Sequence, residues 1–488
     1  MLARGAHAHE VETAMRNVLR GFGLPAAEAV ITQATVSVSD ISPDDAETTT
    51  AIQAVRDWQP DFSQLTATAA LVEAIRDGRT DLDTAEAELD RILTGKHQYP
   101  RWLRFAAPAL LSFAVTIMFH GSLGDAATTL AIGLAIQPAL EWIQRSELPH
   151  FFQVVFGVSA TALIVVLLVK VGLPIGGSLV LTGSLLRFLP GAELVSGMHD
   201  LIAGAYMSGV VRLAEVILLG TAIAGSASLI LTLGENLDVQ LRITAAGAVD
   251  WPAVVIVAAG AVAVAFNACR LGVPARTLLS VVVLGALAVV IAQGFTPLFD
   301  DLSRNARTLL AAVLIGALGT YLAHRRRAPA AIWTVPAILP LLPAPATLLP
   351  LLAETEAARQ ALQGQALETA FVIGVGVASG SIIVATYQRS RERWLEPVVD
   401  AVSDGMSRYV VQPAQRQVRR WRRTSEPHGE HETGRGSSRR RRGRAGEQLL
   451  NAAAQRFAVR CPPHFETRST DHRVRLTAHP KHAPLAWL

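Results

Sequence analysis

Hydrophobic and polar positions fall into three regimes along the chain. In the first, residues 1–95, apolar positions are spaced for amphipathic elements. Val11, Met15, Val18, Leu19 and Phe22 recur on one helical face, and Gly23 offers a stop. Residues 29–39 are rich in β-branched types and partly alternate, which predicts a strand. Residues 62–78 and 81–93 return to helical spacing, with Thr80, Asp81 and Asp83 as cap and first-turn residues for the second. From Trp102 the pattern changes to ten apolar runs, at 102–119, 126–142, 150–169, 174–189, 209–233, 251–269, 277–294, 308–323, 330–352 and 366–386. A membrane-spanning helix needs roughly 20 apolar residues, fewer when it is interrupted. The third regime, from Arg389, is polar and Arg-rich (RRWRR, SSRRRRGR), a composition that argues for disorder.

Composition supports the same division. Of 488 residues 51% are hydrophobic and only 17% charged, against about 25% charged in an average globular chain. The fold class expected is therefore an α-helical integral membrane protein with a small N-terminal α/β domain and a disordered basic C-terminal tail. Cys269 and Cys461 are too few and too far apart for a disulfide framework. The polar N-terminus has no apolar core or small-residue cleavage site, so no cleaved signal peptide is expected.

Charge placement orients the spans. Arg101, Arg104, Arg145, Arg187, Arg212, Arg270, Arg276 and Arg325–Arg327 fall in loops or span ends of one side, while Asp125, Glu235, Asp238, Asp250, Asp300, Asp301, Glu354 and Glu356 fall on the other. The basic side is expected to be cytoplasmic, with both termini there. Ten spans divide into five and five, and an odd number per half inverts the second half. Pro343 follows Pro190 by 153 residues, as Glu368 follows Glu215. The expected organisation is a domain at 1–98, inverted repeats at 99–235 and 236–387, and a tail at 388–488. Inverted repeats with one broken helix each commonly enclose a transporter's substrate site.

The chemistry-bearing residues lie in that pattern. Asp200, Arg212 and Glu215 sit at or near membrane depth, where charge is costly without a role. Arg212 and Glu215 are three apart and share a helical face. They could couple transport to protons, clamp a substrate, or form a structural ion pair at a helix end. Glu368 is either a second coupling carboxylate or an interfacial acid. Pro190 and Gly191, Gly204, and Pro340 and Pro343 are read as helix breaks lining the site. Gly220, Gly225, Gly374, Gly376 and Gly380 are read as close helix packing. His7, His9, Glu10 and Glu12 lack metal-site spacing, so no metal is expected. No P-loop, catalytic group or cofactor motif stands out, so an enzyme is not expected. The Arg runs of the tail are read as topology or lipid contacts rather than a nucleic-acid site.

Three patterns together resemble the threonine/serine exporter family: Gly5, Ala6, Val11 and Glu12 near the start; Asp200, Gly204, Arg212 and Glu215 in the middle; Pro336, Pro340, Leu341 and Pro343 late in the chain. Ala344 and Pro345 depart from the family's usual glycine after the last proline, and Leu348 and Leu349 replace an aromatic or charged residue. The resemblance implies export of threonine and serine across the cytoplasmic membrane, driven by the proton-motive force, with protons and lipid as further partners and a homo-oligomer allowed. Two alternatives remain open: a dicarboxylate exporter, and a membrane-anchored sensor or hydrolase working through the N-terminal domain.

Overall fold

The computed structural model describes residues 1–406, apart from 25–26, 33–34, 41–48, 56–59, 96, 147, 238, 240–248, 296–298, 300 and 343–355. The N-terminal part begins with α1 (Ala8–Gly21), then three antiparallel strands in the order β1 (Glu28–Ile31), β2 (Thr35–Asp40) and β3 (Thr49–Ala54). Two helices follow, α2 (Phe62–Arg76) and α3 (Leu82–Thr94). The strand expected at 29–39 is two strands instead. The Thr32 amide donates to the Thr35 carbonyl at 2.9 Å, and Ile31 pairs with Val36. The alternation was correct, but Thr32 and Thr35 are good strand formers and gave no break signal. Helix α2 starts at Asp61, whose carboxylate accepts from the amides of Ser63 and Gln64.

The apolar runs form helices α4 (Arg101–Met118), α5 (Leu123–Gln144), α6 (His150–Lys170), α7 (Gly177–Leu185), α8 (Gly191–Ile202), α9 (Tyr206–Glu235), α10 (Ala253–Arg270), α11 (Ala275–Gln293), α12 (Arg304–Arg326), α13 (Ala331–Ala337) and α14 (Glu356–Met406). Among the described residues, eight helices are long and apolar enough to cross a membrane, and α7 with α8 makes a ninth if that bent pair is one span. This falls short of the ten expected. The run at 330–352 yields only a short apolar helix, Ala331–Leu341, because Pro336 and Pro340 leave it few regular turns, and 343–355 lie outside the described residues. Helix α14 runs past residue 388 to Met406; the rest of the tail, 407–488, is outside the described residues.

Residues 1–391 belong to one compact unit, and one apolar core runs through it. Leu2, Ala6, Val11, Met15, Phe62 and Leu65 of the N-terminal part share that core with Leu111, Val195, Leu271 and Trp333 of the membrane helices. Polar contacts reinforce the junction: the Phe62 amide donates to Leu271 O at 2.8 Å, and Tyr99 Oη donates to Val273 O at 2.7 Å. Asp125, expected in a polar loop, is buried. It caps α5 with Ser122 and accepts the Gly176 amide at 2.7 Å ahead of α7.

The glycines divide unevenly. A Cβ at Gly376 would lie 2.6 Å from Ala312, and Gly380 and Gly374 are similarly pressed by Val313 and Met198. Gly220 and Gly225 instead have nothing within 4 Å, so their expected packing role is not met.

Candidate functional site

Helix α7 ends in a 3-10 turn, Leu186–Phe188, followed by Leu189 and Pro190. Proline cannot extend a helix from its N-terminal side, and the path bends by 52° before α8 starts at Gly191. Late in the chain α13 also runs into a 3-10 turn, Leu339–Leu341, followed by Leu342. The two breaks touch: a Cβ on Gly191 would lie 2.8 Å from Leu342 Cδ1. Glycine is needed there for close approach.

Beside this contact lies a cavity of 330 Å³. Its polar walls include Arg187 and Glu193 from the first break, Arg212 and Glu215 from α9, and Asn267 and Arg270 from the end of α10. Gly5, Pro60 and Phe62 of the N-terminal part line it too. Arg270 is exposed and lines the cavity.

Asp200 and Arg212 form a buried ion pair, Oδ2 to Nε 3.2 Å, with side-chain exposures of 0% and 4%. Gly204 makes it possible. At φ 90° it takes the left-handed conformation that turns α8 back along α9, but it does not line the cavity. Both partners also hydrogen-bond the N-terminal segment. Asp200 Oδ1 accepts the Ala8 amide at 3.2 Å, and Arg212 Nη2 donates to Ala6 O at 3.2 Å. Glu10 Oε1 accepts the Ala330 amide at 3.0 Å, and its Oε2 accepts the His7 amide at 3.3 Å. Residues 6–10 are thus latched onto α8, α9 and the start of α13.

His7 stacks on His199, with ring centroids 4.4 Å apart and planes 21° apart. Burial, with Arg212 and His9 nearby, pushes the His7 imidazole down to about 3, so it is neutral. Burial pushes the Glu10 carboxyl up, against the hydrogen bonds from Ala330 and His7. His7, His199 and Asp200 offer ligand-type atoms within 4.8 Å of one another. The Arg212 guanidinium already supplies the cation facing Asp200, and a second cation there would meet it at close range. The cluster is a polar latch on this geometry.

Of the residues singled out from sequence, Pro190, Gly191, Arg212 and Glu215 line one cavity, and Asp200 stands behind Arg212. Pro340 lies in the second 3-10 turn, next to the lining residue Leu339; Pro343 lies outside the described residues. Glu368 is exposed, accepts from Asn305 Nδ2 at 2.6 Å, and is not a cavity residue. Sequence reasoning missed Asn267 and His199, took Arg270 only as a loop charge, and asked of His7, His9, Glu10 and Glu12 only whether they bind metal. The partners of residues 7–10 and of His199 lie 192 or more positions away, beyond any local pattern.

Residues 1–234 match the family model described as "Putative threonine/serine exporter". Residues 253–386 match a second, described as "Threonine/Serine exporter, ThrE". The chain belongs to the threonine/serine exporter family. It is 25% identical over 396 residues to a "Probable threonine/serine exporter" of Mycobacterium tuberculosis, covering 79% of this chain and 74% of that one. It is 26% identical over 352 residues to a "Threonine/serine exporter" of Corynebacterium glutamicum, covering 70% and 71%. No solved structure matches. The family is one of transporters, not enzymes, and membership with several apolar helices makes this a multi-pass membrane protein. In this exporter-family chain the first matched region holds the latch and the first break, and the second holds the break that meets it.

Proposed function

We propose that the chain exports threonine and serine across the cytoplasmic membrane, binding them in the cavity between the two helix breaks and drawing energy from the proton gradient. The observation that carries this reading is the cavity's bipolar wall, with arginines and glutamates on one 330 Å³ space. A zwitterion needs an anion site and a cation site within a few ångströms, and breaks in apolar helices supply further backbone dipoles. The recurring order of helix, 3-10 turn and leucine at both breaks, with proline next in sequence, supports two related halves exchanging conformation. Glu215 is the coupling carboxylate of this reading. Its wall position lets it take a proton from one side and release it to the other. Basic loops around the N-terminal part support a cytoplasmic position for that part and for both termini.

The test is exchange of labelled threonine by purified protein in proteoliposomes, with and without a pH gradient. Competition by unlabelled threonine and serine, with flux accelerated by the gradient, is expected. Competition by succinate alone would overturn the amino-acid reading in favour of dicarboxylate export, and flux indifferent to the gradient would overturn proton coupling.

A further inference from the structure

Arg212 is the cation that the sequence offers first as a clamp for a substrate carboxylate. The structure commits it elsewhere, to Asp200 and to the Ala6 carbonyl. Two other arginines of the cavity wall are in a different position. Arg187 donates through Nη2 to Gln137 Oε1 at 2.6 Å, while its buried Nη1 has no hydrogen-bond partner among the described residues. Arg270 donates through Nε and Nη2 to a single neutral oxygen, Asn267 Oδ1, at 3.3 and 3.0 Å. Neither makes an ion pair among the described residues. They are close enough for the charge of Arg270 to act on Arg187.

Two guanidiniums on one cavity wall, hydrogen-bonded to amide side chains and, at Arg187, leaving a buried nitrogen without a partner among the described residues, offer a site for a visiting anion. The first turn of α8, from Gly191, opens onto the same cavity. The Gly191 amide donates to Leu189 O at 2.9 Å; the next amides of a helix's first turn, here those of Ala192 and Glu193, have no partners within the helix and add positive potential. Glu193 and Glu215 also line the space, and they provide an opposite pole for an ammonium group.

We propose that Arg187 and Arg270, with the first-turn amides of α8, form the carboxylate subsite of this cavity, and that Arg212 is a positioning residue. The assignment rests on the transport reading above for its substrate, an α-amino acid, but on the two arginines alone for its anion. Bidentate, charge-assisted contacts of this kind favour a carboxylate over an alcohol.

The experiment is competition against labelled threonine by threonine, threoninol (which lacks the carboxylate) and succinate, on the purified full chain and on Arg187→Gln and Arg270→Gln. In the unmodified protein threoninol should compete on the order of 100-fold more weakly than threonine. Each variant should weaken threonine by about 10- to 100-fold while leaving the weak competition by threoninol unchanged, which also shows that the variant is folded. Equal competition by threonine and threoninol in the unmodified protein would overturn the subsite without needing any variant. So would variants that bind threonine normally. If the unmodified protein binds neither threonine nor serine, the transport reading fails. Direct binding of labelled succinate then decides the subsite: binding lost in both variants supports it, and binding absent or unaffected overturns it.

Discussion

At the scale of single residues, the buried Asp200–Arg212 pair holds more than itself. Each partner also hydrogen-bonds the backbone of residues 6–8, so removing one charge strips the latch and leaves the other charge enclosed. Breaking a buried pair from one side typically costs about 3–5 kcal/mol. Asp200→Asn should therefore lower thermal stability in detergent and make the first 20 or so residues cleavable by limited proteolysis, with cleavage ahead of global unfolding. Equal protease resistance would show that the segment is held by its apolar contacts alone. The latch also carries a pH signature. Above about pH 6.5 His7 is neutral whether docked or undocked, and its contribution is fully present. Below that, an undocked His7 takes up a proton that the docked one, with a pKa near 3, refuses. Docking then weakens by up to about 1.4 kcal/mol per pH unit. Glu10 acts in the opposite sense: its raised carboxyl weakens docking as pH climbs above its ordinary range. Asp200, Arg212, His9 and His199 are the other charged or titratable groups around the pair. His7→Gln removes one of the two opposed trends. Amide exchange of residues 8–21 in that variant should slow as pH is lowered from 7 to 5.5, after correction for intrinsic rates, and should slow more than in the unmodified chain. Parallel profiles would exclude His7 as the titrating group.

At the scale of elements, the helices were legible and their junctions were not. Apolar runs beginning near Arg101, Leu123, His150 and Ala253 became helices within a few residues of the expected bounds, because a run of that length has few other ways to satisfy its backbone. The break at Pro190 was legible for a local reason, the missing amide and the ring. Glu368 was singled out by a different kind of inference. Its spacing from Glu215 matched a repeat, but its surroundings place it with Asn305 at an exposed helix flank. Small residues show the same limit, since a glycine that packs and one that faces open space look alike in a sequence. Gly316 faces the Val377 carbonyl across α12 and α14 so closely that a methyl group has no room, whereas Gly220 has nothing within 4 Å. Overpacking rigid backbone costs about 1–3 kcal/mol or more. Gly316→Ala should lower the melting temperature in detergent by several degrees, and Gly220→Ala should leave it unchanged or raise it slightly through helix propensity. The reverse order would mean that α12 and α14 do not pack as described.

At the scale of the whole molecule, the N-terminal part closes one side of the cavity. Gly5, Pro60 and Phe62 form part of its wall, and the Phe62 amide is hydrogen-bonded to Leu271 where α10 ends. The sequence marked this part as separate because its periodicity is that of a soluble domain; its shared core with the spans depends on contacts that no local pattern encodes. A site that serves export must open towards the side from which substrate arrives. In the orientation proposed above, that side is the one sealed by this wall. The polar links from Ala6, Ala8, Glu10 and Phe62 to the spans, and the apolar contacts beside them, must then loosen together during each cycle. Amide exchange under turnover, with threonine and a pH gradient, should therefore accelerate at Ala8 and Phe62 relative to the resting protein, while α4 and α10 stay protected. Faster exchange confined to α14 instead would place the moving gate on the opposite side and leave the N-terminal part as a fixed base.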